Sequence, residues 1–393
     1  QRKLGDGIAD GIVSTALLKF LLHQRVTRPG DYRVGVTALM LAPLRCTATL
    51  FLAGLIATTT AHAQALGNPA PAPNSVRRIG TIDFYGLHRL TVDQLRSALA
   101  FKVGDSIARG DHAFFAASEQ HLMTVPDVSR AHIDVICCTD GLPAVFVGIE
   151  EKNGSVMHFR PAPAGAIRLP PDVVQTGAEF DQVLMKVVLS GHAHEDDSEG
   201  HALLDDAAAR PVEDRMIAVA HNHLKLLREV LHESANSEQR ALAAQLLGYA
   251  GDPQAVVPDL VYAMSDSDAD VRNNAMRALM VFTMATKVKV PQVPYQPFIA
   301  LLSSAVWTDL NKASGALMQL ARARDPVLLR MLRDQALASL IEMARWNDRG
   351  HAEAAFWILG DIGGLDDRTI QSYWNRNSRE PVIRAARLSA IRN

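Results

Sequence analysis

Asp270-Val271-Arg272-Asn273-Asn274-Ala275-Met276-Arg277-Ala278-Leu279 decides the fold, because its pattern occurs once more upstream at a fixed offset. Arg272, Ala275 and Leu279 repeat Arg240, Ala243 and Leu247, each 32 residues earlier. A fixed period of this size marks a solenoid: a two-helix unit of that length cannot close its own core, so each apolar face is buried on the neighbouring unit.

Working outward, Ser237 is placed to cap a helix whose Leu242, Ala243, Leu246, Leu247 and Ala250 recur at helical spacing, with Gly251 as a stop. Asp252-Pro253 then opens the next helix: Asp offers an acceptor at the N-cap, and Pro at the first helical position loses only an N–H without a partner there. Val256, Val257, Leu260, Val261 and Met264 form its apolar face, and Asp266 to Asp270 form the turn. Val271, Ala275, Ala278, Leu279 and Phe282 carry the following stripe.

This arrangement resembles the HEAT-repeat families, whose second helix reads Asp-Val-Arg-x-x-Ala-x-x-x-Leu, here Asp270-Val271-Arg272 through Ala275 to Leu279. The resemblance implies an α-solenoid that binds other proteins. Ala243 and Ala275 allow close helix approach, and Arg272 and the turn aspartates either pair along the stack or stand as solvated helix ends; exposed pairs add little stability, and either role is structural.

Downstream, Lys287 to Pro297 interrupts the array with Pro291, Pro294 and Pro297, as a binding loop or as an insertion on one edge. Phe298, Leu301, Leu302 and Ala305 resume the pattern, Asp325-Pro326 repeats the helix-start device, and Ala355 to Gly360 matches Ala243 to Gly248 in its Ala, Leu and Gly. Pro381 to Ile391 is expected to cap the stack. Trp346, Trp357 and Trp374 read as helix-packing residues, with ligand anchoring as the alternative.

The full chain has 393 residues, 48% hydrophobic and 21% charged, with a net charge of −2. That composition allows two or three globular domains and shows none of the basic excess expected of a nucleic-acid binder. Arg45, an apolar run from Thr47 to Ala57 and Ala61-His62-Ala63 make residues 40–63 a secretory signal, too short in its apolar run to span a bilayer. Residues 1–39 then read as an over-extended gene start, and 64–75 as a disordered lead-in rich in Ala, Pro and Asn. Arg45 directly before Cys46 argues against a lipoprotein site.

From 76 to 152 the pattern becomes a small α+β unit in the order β-α-α-β-β. Ile79, Ile82 and Phe84 form a strand; Thr91-Val92-Asp93-Gln94 is a capping box; a second helix spans Asp111 to Met123; Ala131 to Cys137 and Ala144 to Glu150 form a hairpin. That order, with Ile82-Asp83-Phe84-Tyr85-Gly86, Val125-Pro126-Asp127-Val128 and Val147-Gly148-Ile149-Glu150-Glu151, resembles a POTRA domain. The resemblance implies a periplasmic module that receives partner strands at a sheet edge. An unrelated α+β domain of the same order is the alternative. Cys137 and Cys138 are adjacent on the expected strand, so they point to opposite faces and do not share a metal easily. A disulfide, vicinal or intermolecular, and a small core residue beside a spectator are the open readings.

Residues 153–171, with Pro161, Pro163, Pro170 and Pro171, are expected to be a linker with few residues able to pack, so that the two modules fold independently. Phe180, Val183, Leu184, Val187 and Val188 begin the all-α part, 172–393. Gly191-His192-Ala193-His194-Glu195-Asp196-Asp197 resembles the His-x-His-x-Asp-His loop of metallo-β-lactamase-like hydrolases. Its final His is Asp197, a helix precedes it, and His221 and His223 face different ways, so no metal site is expected at His192, His194 and Asp196.

The fold expected is therefore multidomain: a small α+β, POTRA-like domain followed by an all-α HEAT-like solenoid. The function expected is a non-catalytic scaffold, exported to the periplasm, that binds other proteins through the solenoid surface and a sheet edge, without cofactor, metal or nucleic acid. The alternatives are a metal-dependent hydrolase built on His192 and His194, and a soluble accessory of an outer-membrane assembly or secretion machine.

Overall fold

The computed structural model describes residues 77–107, 112–139, 142–154, 156–189 and 194–391. The expected secretory signal, the residues before it, the lead-in and His192 lie outside them.

The small domain starts with β1 (Arg77–Arg78) and β2 (Thr81–Tyr85), followed by α1 (Val92–Arg96), β3 (Ser106–Ile107), α2 (His112–Leu122), β4 (Val128–Thr139) and β5 (Leu142–Glu151). Thr91 opens α1 through the expected capping box. β1 and β3 pair over two residues each, and the main sheet has the order β2-β5-β4, with β2 parallel and β4 antiparallel to β5. The parallel β2–β5 pairing requires a crossover, which α1 and α2 supply. Their side chains Leu95, Phe115 and Leu122 close a core against Ile82, Phe84, Val145, Val147 and Ile149. Cys137 and Cys138 fall in the irregular stretch of β4 between Ile136 and Thr139.

The helical part holds α3 (Pro171–Leu189), a two-residue hairpin of β6 (Glu195–Asp196) and β7 (Leu203–Leu204), and α4 (Arg210–Asn222). Five helical hairpins follow: α5 (Leu224–Glu233) with α6 (Ser237–Leu247), α7 (Pro253–Ala263) with α8 (Ala269–Met284), α9 (Gln296–Leu301) with α10 (Trp307–Ala321), α11 (Pro326–Ala344) with α12 (Arg349–Ile362), and α13 (Asp367–Asn375) with α14 (Glu380–Ile391). The second helices α6, α8, α10, α12 and α14 stack in that order, and one apolar core runs through them.

Asp252, Asp268 and Asp325 cap their helices by accepting from amides of the first turn, and Pro253 and Pro326 follow in the first-turn positions that Pro tolerates. Two local expectations are corrected. The cap of α6 is Asn236, which accepts from the Gln239 amide, and Ser237 is the first helical residue. Pro297 belongs to the first turn of α9 rather than to the interrupting loop.

The larger correction concerns how the modules meet. β5 does not alternate between buried and solvated residues but is buried from Pro143 to Glu151, because the second face of the sheet lies on the solenoid. Tyr85, Ile136 and Phe146 join the helical core. The contact follows the turns inside the hairpins: Asp134 Oδ2 accepts from the Trp307 amide at 3.3 Å, and the Tyr85 hydroxyl donates to the Leu302 carbonyl. Asp83 accepts from the Asn347 amide at 2.6 Å and the Asp348 amide at 2.9 Å. Gly148 sits where a Cβ would lie 1.8 Å from the Ala305 carbonyl, so only glycine permits this approach.

The segment between the modules packs as well, against the expectation of a bare linker. Met157, Phe159, Ile167 and Leu169 lie on the helical core. The Arg160 amide donates to Ser265 O at 2.6 Å, and Gly165 exchanges backbone hydrogen bonds with Glu233 and Ala235 at 2.8 and 2.7 Å. The segment is thus a strap laid along the same row of turns that carries the sheet.

Candidate interaction surfaces

The repeat arginines form a ladder beneath that strap. Arg240 donates from Nε and Nη2 to the two oxygens of Asp266 at 2.9 and 2.8 Å, and Arg272 does the same to Asp309 at 2.9 and 2.8 Å. The remaining terminal nitrogen of each returns to turn carbonyls, Ser234 for Arg240 and Asp266 for Arg272. Both arginines are 1% exposed, so these are buried bidentate pairs and not solvated helix ends. Burial alone would raise the Asp266 carboxyl, but Arg240, the Asp268 amide and Arg160 outweigh it and hold the group below the usual range. From the strap, the Phe159 ring covers the Arg272 guanidinium at 3.6 Å and Arg160 covers Tyr262 at 3.8 Å.

Docking of the two modules leaves a cleft of about 830 Å3 between β2, the turn into α1, and the C-terminal half of α11. Ile82, Phe84, Leu90, Leu337, Ile341 and Trp346 make its apolar walls; His88, Arg96, Arg345 and Arg387 supply basic groups. β2 is a margin of the sheet, and its Phe84 carbonyl accepts from Trp346 Nε1 at 3.1 Å. One wall is shaped by Glu151, whose Oε1 accepts from the amides of His88, Arg89 and Leu90 at 2.8 to 2.9 Å. Burial opposes ionisation of Glu151, but these amides and Arg89 prevail and hold its pKa down to about 2. On the other wall burial pushes the Glu342 carboxyl up to about 7, against the amides of Leu87 and Gly86.

The second helices α8 and α10 carry a different group. Arg277 of α8 donates to Glu195 of β6, and Lys312 of α10 lies beside Arg277 while only 3% exposed. Burial, and then Arg277, push the Lys312 ammonium down to about 7. The segment from Glu195 to Leu204 is fixed across the ends of α6 and α8: Ser198 O accepts from the Thr286 and Lys287 amides at 2.9 and 2.8 Å, and the Tyr249 hydroxyl donates to Ala202 O at 3.1 Å.

The histidines are spread through these surfaces. His194 is exposed, and Asp196 accepts from the Ser198 amide at 2.9 Å. The His201 ring stacks on Tyr249, and His221 and His223 lie where α4 passes into α5. Among the described residues no group of three His, Cys, Asp or Glu is placed to hold a metal ion. Trp346, Trp357 and Trp374 are all buried. Periodicity pointed to Arg240 and Arg272, but not to Arg277, Lys312, Glu342, Arg345 or Arg387, which fall off the repeated signature and gain a role only from what is packed opposite them.

Hairpins stacked through their second helices on an arginine–aspartate ladder define an α-solenoid. A family profile for HEAT repeats matches residues 224–293, which hold α5 to α8 and the loop after them, and the chain carries HEAT repeats over that segment. A search of curated proteins finds no match to the chain. No helix among the described residues is long and apolar enough to cross a membrane.

Proposed function

We infer from the HEAT repeats that the chain is a protein-interaction scaffold. We propose that this chain is such a scaffold in the cell envelope, without catalysis of its own, and that it receives an extended segment of a partner protein in the cleft between β2 and α11. The observation that carries the reading is a marginal strand facing a cleft with apolar walls and arginines at its rim. A marginal strand offers an added chain the backbone groups that Trp346 does not take at the Phe84 carbonyl, apolar walls take alternate side chains, and Arg96 and Arg387 favour a segment that also carries acidic residues. The sheet of β2, β4 and β5 crossed over by α1 and α2 supports a POTRA-like module, to which β1 and β3 add a short pair, and Ala61-His62-Ala63 supports export with a mature chain starting at Gln64.

A photo-crosslinking side chain at Val92 or Leu337, both at the cleft, tests the docking site against Val327, exposed on α11 outside it. The same discrete protein adduct is expected at Val92 and Leu337, absent at Val327 and weakened by Arg387→Glu. Equal adducts at all three positions, or none at the cleft, contradict it. Sequencing the N-terminus of the envelope form tests export separately.

A further inference from the structure

We propose that Arg277 and Lys312 form a second binding site, an anion site across α8 and α10 for an acidic segment of a protein partner, and that the chain's own Glu195 occupies it. The site is apart from the cleft at β2. It rests on the scaffold reading only in taking a protein as the partner.

Two basic side chains meet there, the Arg277 guanidinium and Lys312, whose ammonium burial and Arg277 push down to about 7. Arg277 and Lys312 come from neighbouring second helices, so the stack itself sets their spacing. Among the described residues the carboxylate bonded to Arg277 is Glu195, and Lys312 has no ion pair with any of them. Asp197 does not supply a full second counter-charge: burial first, and then Glu195, push its carboxyl up to about 7 despite Arg277. Glu213 is turned to the Leu204 amide at 2.6 Å and to Arg210, and Asp196 to the Ser198 amide. Removing Glu195 would leave the half-buried Arg277 guanidinium without its bonded carboxylate, a reason to take up another.

The occupant fits loosely on its acidic side and tightly on its apolar side. Asp197 Oδ1 is buried without a hydrogen-bond partner among the described residues, and a cavity of about 30 Å3 remains between Phe180, Tyr249, Asn274 and Arg277. By contrast Leu203 and Leu204 are in the core. Displacing residues 194–199 gives up the hydrogen bonds to Ser198 O and the two-residue pairing of β6 with β7, while Leu203 and Leu204 keep the rest of the segment in the core. A tethered occupant competes at an effective concentration on the order of millimolar, so it masks the site from weak ligands and yields to a longer acidic segment with further contacts.

The test uses the full chain and a labelled synthetic peptide, His194–Gly200, as the probe. Glu195→Gln, which keeps the side-chain volume, is expected to bind the peptide at least tenfold more tightly than the unaltered chain. Adding Arg277→Gln is expected to return binding to the unaltered level, with melting of both variants followed in parallel. Equal binding by the unaltered chain and Glu195→Gln, or tight binding that survives Arg277→Gln, overturns the proposal. Loss of the fold in Glu195→Gln overturns it too, because a displaceable occupant is not indispensable to folding. None of these residues lines the cleft at β2, so failure here leaves that reading standing, and failure there leaves this one.

Discussion

At the scale of single residues, the same kind of ion pair has opposite weight in two places. Asp309 is fully buried and holds Arg272 through two hydrogen bonds, with Ser304 Oγ donating to Asp309 Oδ2 at 2.7 Å. Asp309→Ala leaves a buried guanidinium unpaired, and chemical denaturation should show a loss of about 3–5 kcal/mol. Arg345 and Glu380 form an equally close pair at 2.9 Å in solvent, and Arg345→Ala should cost about 1 kcal/mol or less. Glu342 gives a pH test. Its folded pKa of about 7 lies above the ordinary 4.5, so its contribution is fully favourable below about 4.5 and is lost as pH rises through 7. Glu342→Gln keeps an acceptor for the Leu87 amide and carries no charge. It should be more stable than the unaltered chain at pH 8, by roughly 1–3 kcal/mol, with the gain vanishing toward pH 4.5.

At the scale of elements, the caps and stripes that were legible are those whose cause is local. Asp252-Pro253 and Asp325-Pro326 start helices because the acceptor and the missing N–H act within one turn, and the structure places both there. The two helices and the longer strands β2, β4 and β5 could be read from local pattern, whereas the two-residue strands β1 and β3 carry too few residues to show one. What covers the second face of the sheet could not be read, because Tyr85, Phe146 and Gly148 meet turns more than 150 residues away, and nothing adjacent to Gly148 announces that Ala305 needs its space. The strap was misread for the same reason: Pro161, Pro163, Pro170 and Pro171 signal extended backbone, which either hangs free or lies in a groove. Helix stacking makes its own prediction. Leu247 is fully buried where α6 meets its neighbours, so Leu247→Asp should lower the melting of the whole helical array, followed by circular dichroism, and not only loosen one helix.

At the scale of the molecule, a row of turns on one side of the solenoid is covered by the strap and the sheet, Arg277 and the C-terminal end of α8 are covered by the Glu195 segment, and a cleft remains beside β2. Covered backbone resists proteolysis, since cleavage requires local opening. Trypsin should therefore cut after Lys289, in the exposed Lys287–Val290 stretch, before it cuts the strap after Arg168, as mass spectrometry of the first fragments would show. The cleft exists only if the sheet is docked on the solenoid. Hydrogen exchange at the amides of Trp307, Asn347 and Asp348 tests that docking most directly, because their acceptors, Asp134 and Asp83, belong to the sheet. Docking predicts that these three amides exchange as slowly as the core of α10 and α12, and that Asp83→Ala releases the two at 347 and 348. Exchange at the rate of an exposed loop in the unaltered chain, with α10 and α12 still protected, would contradict it.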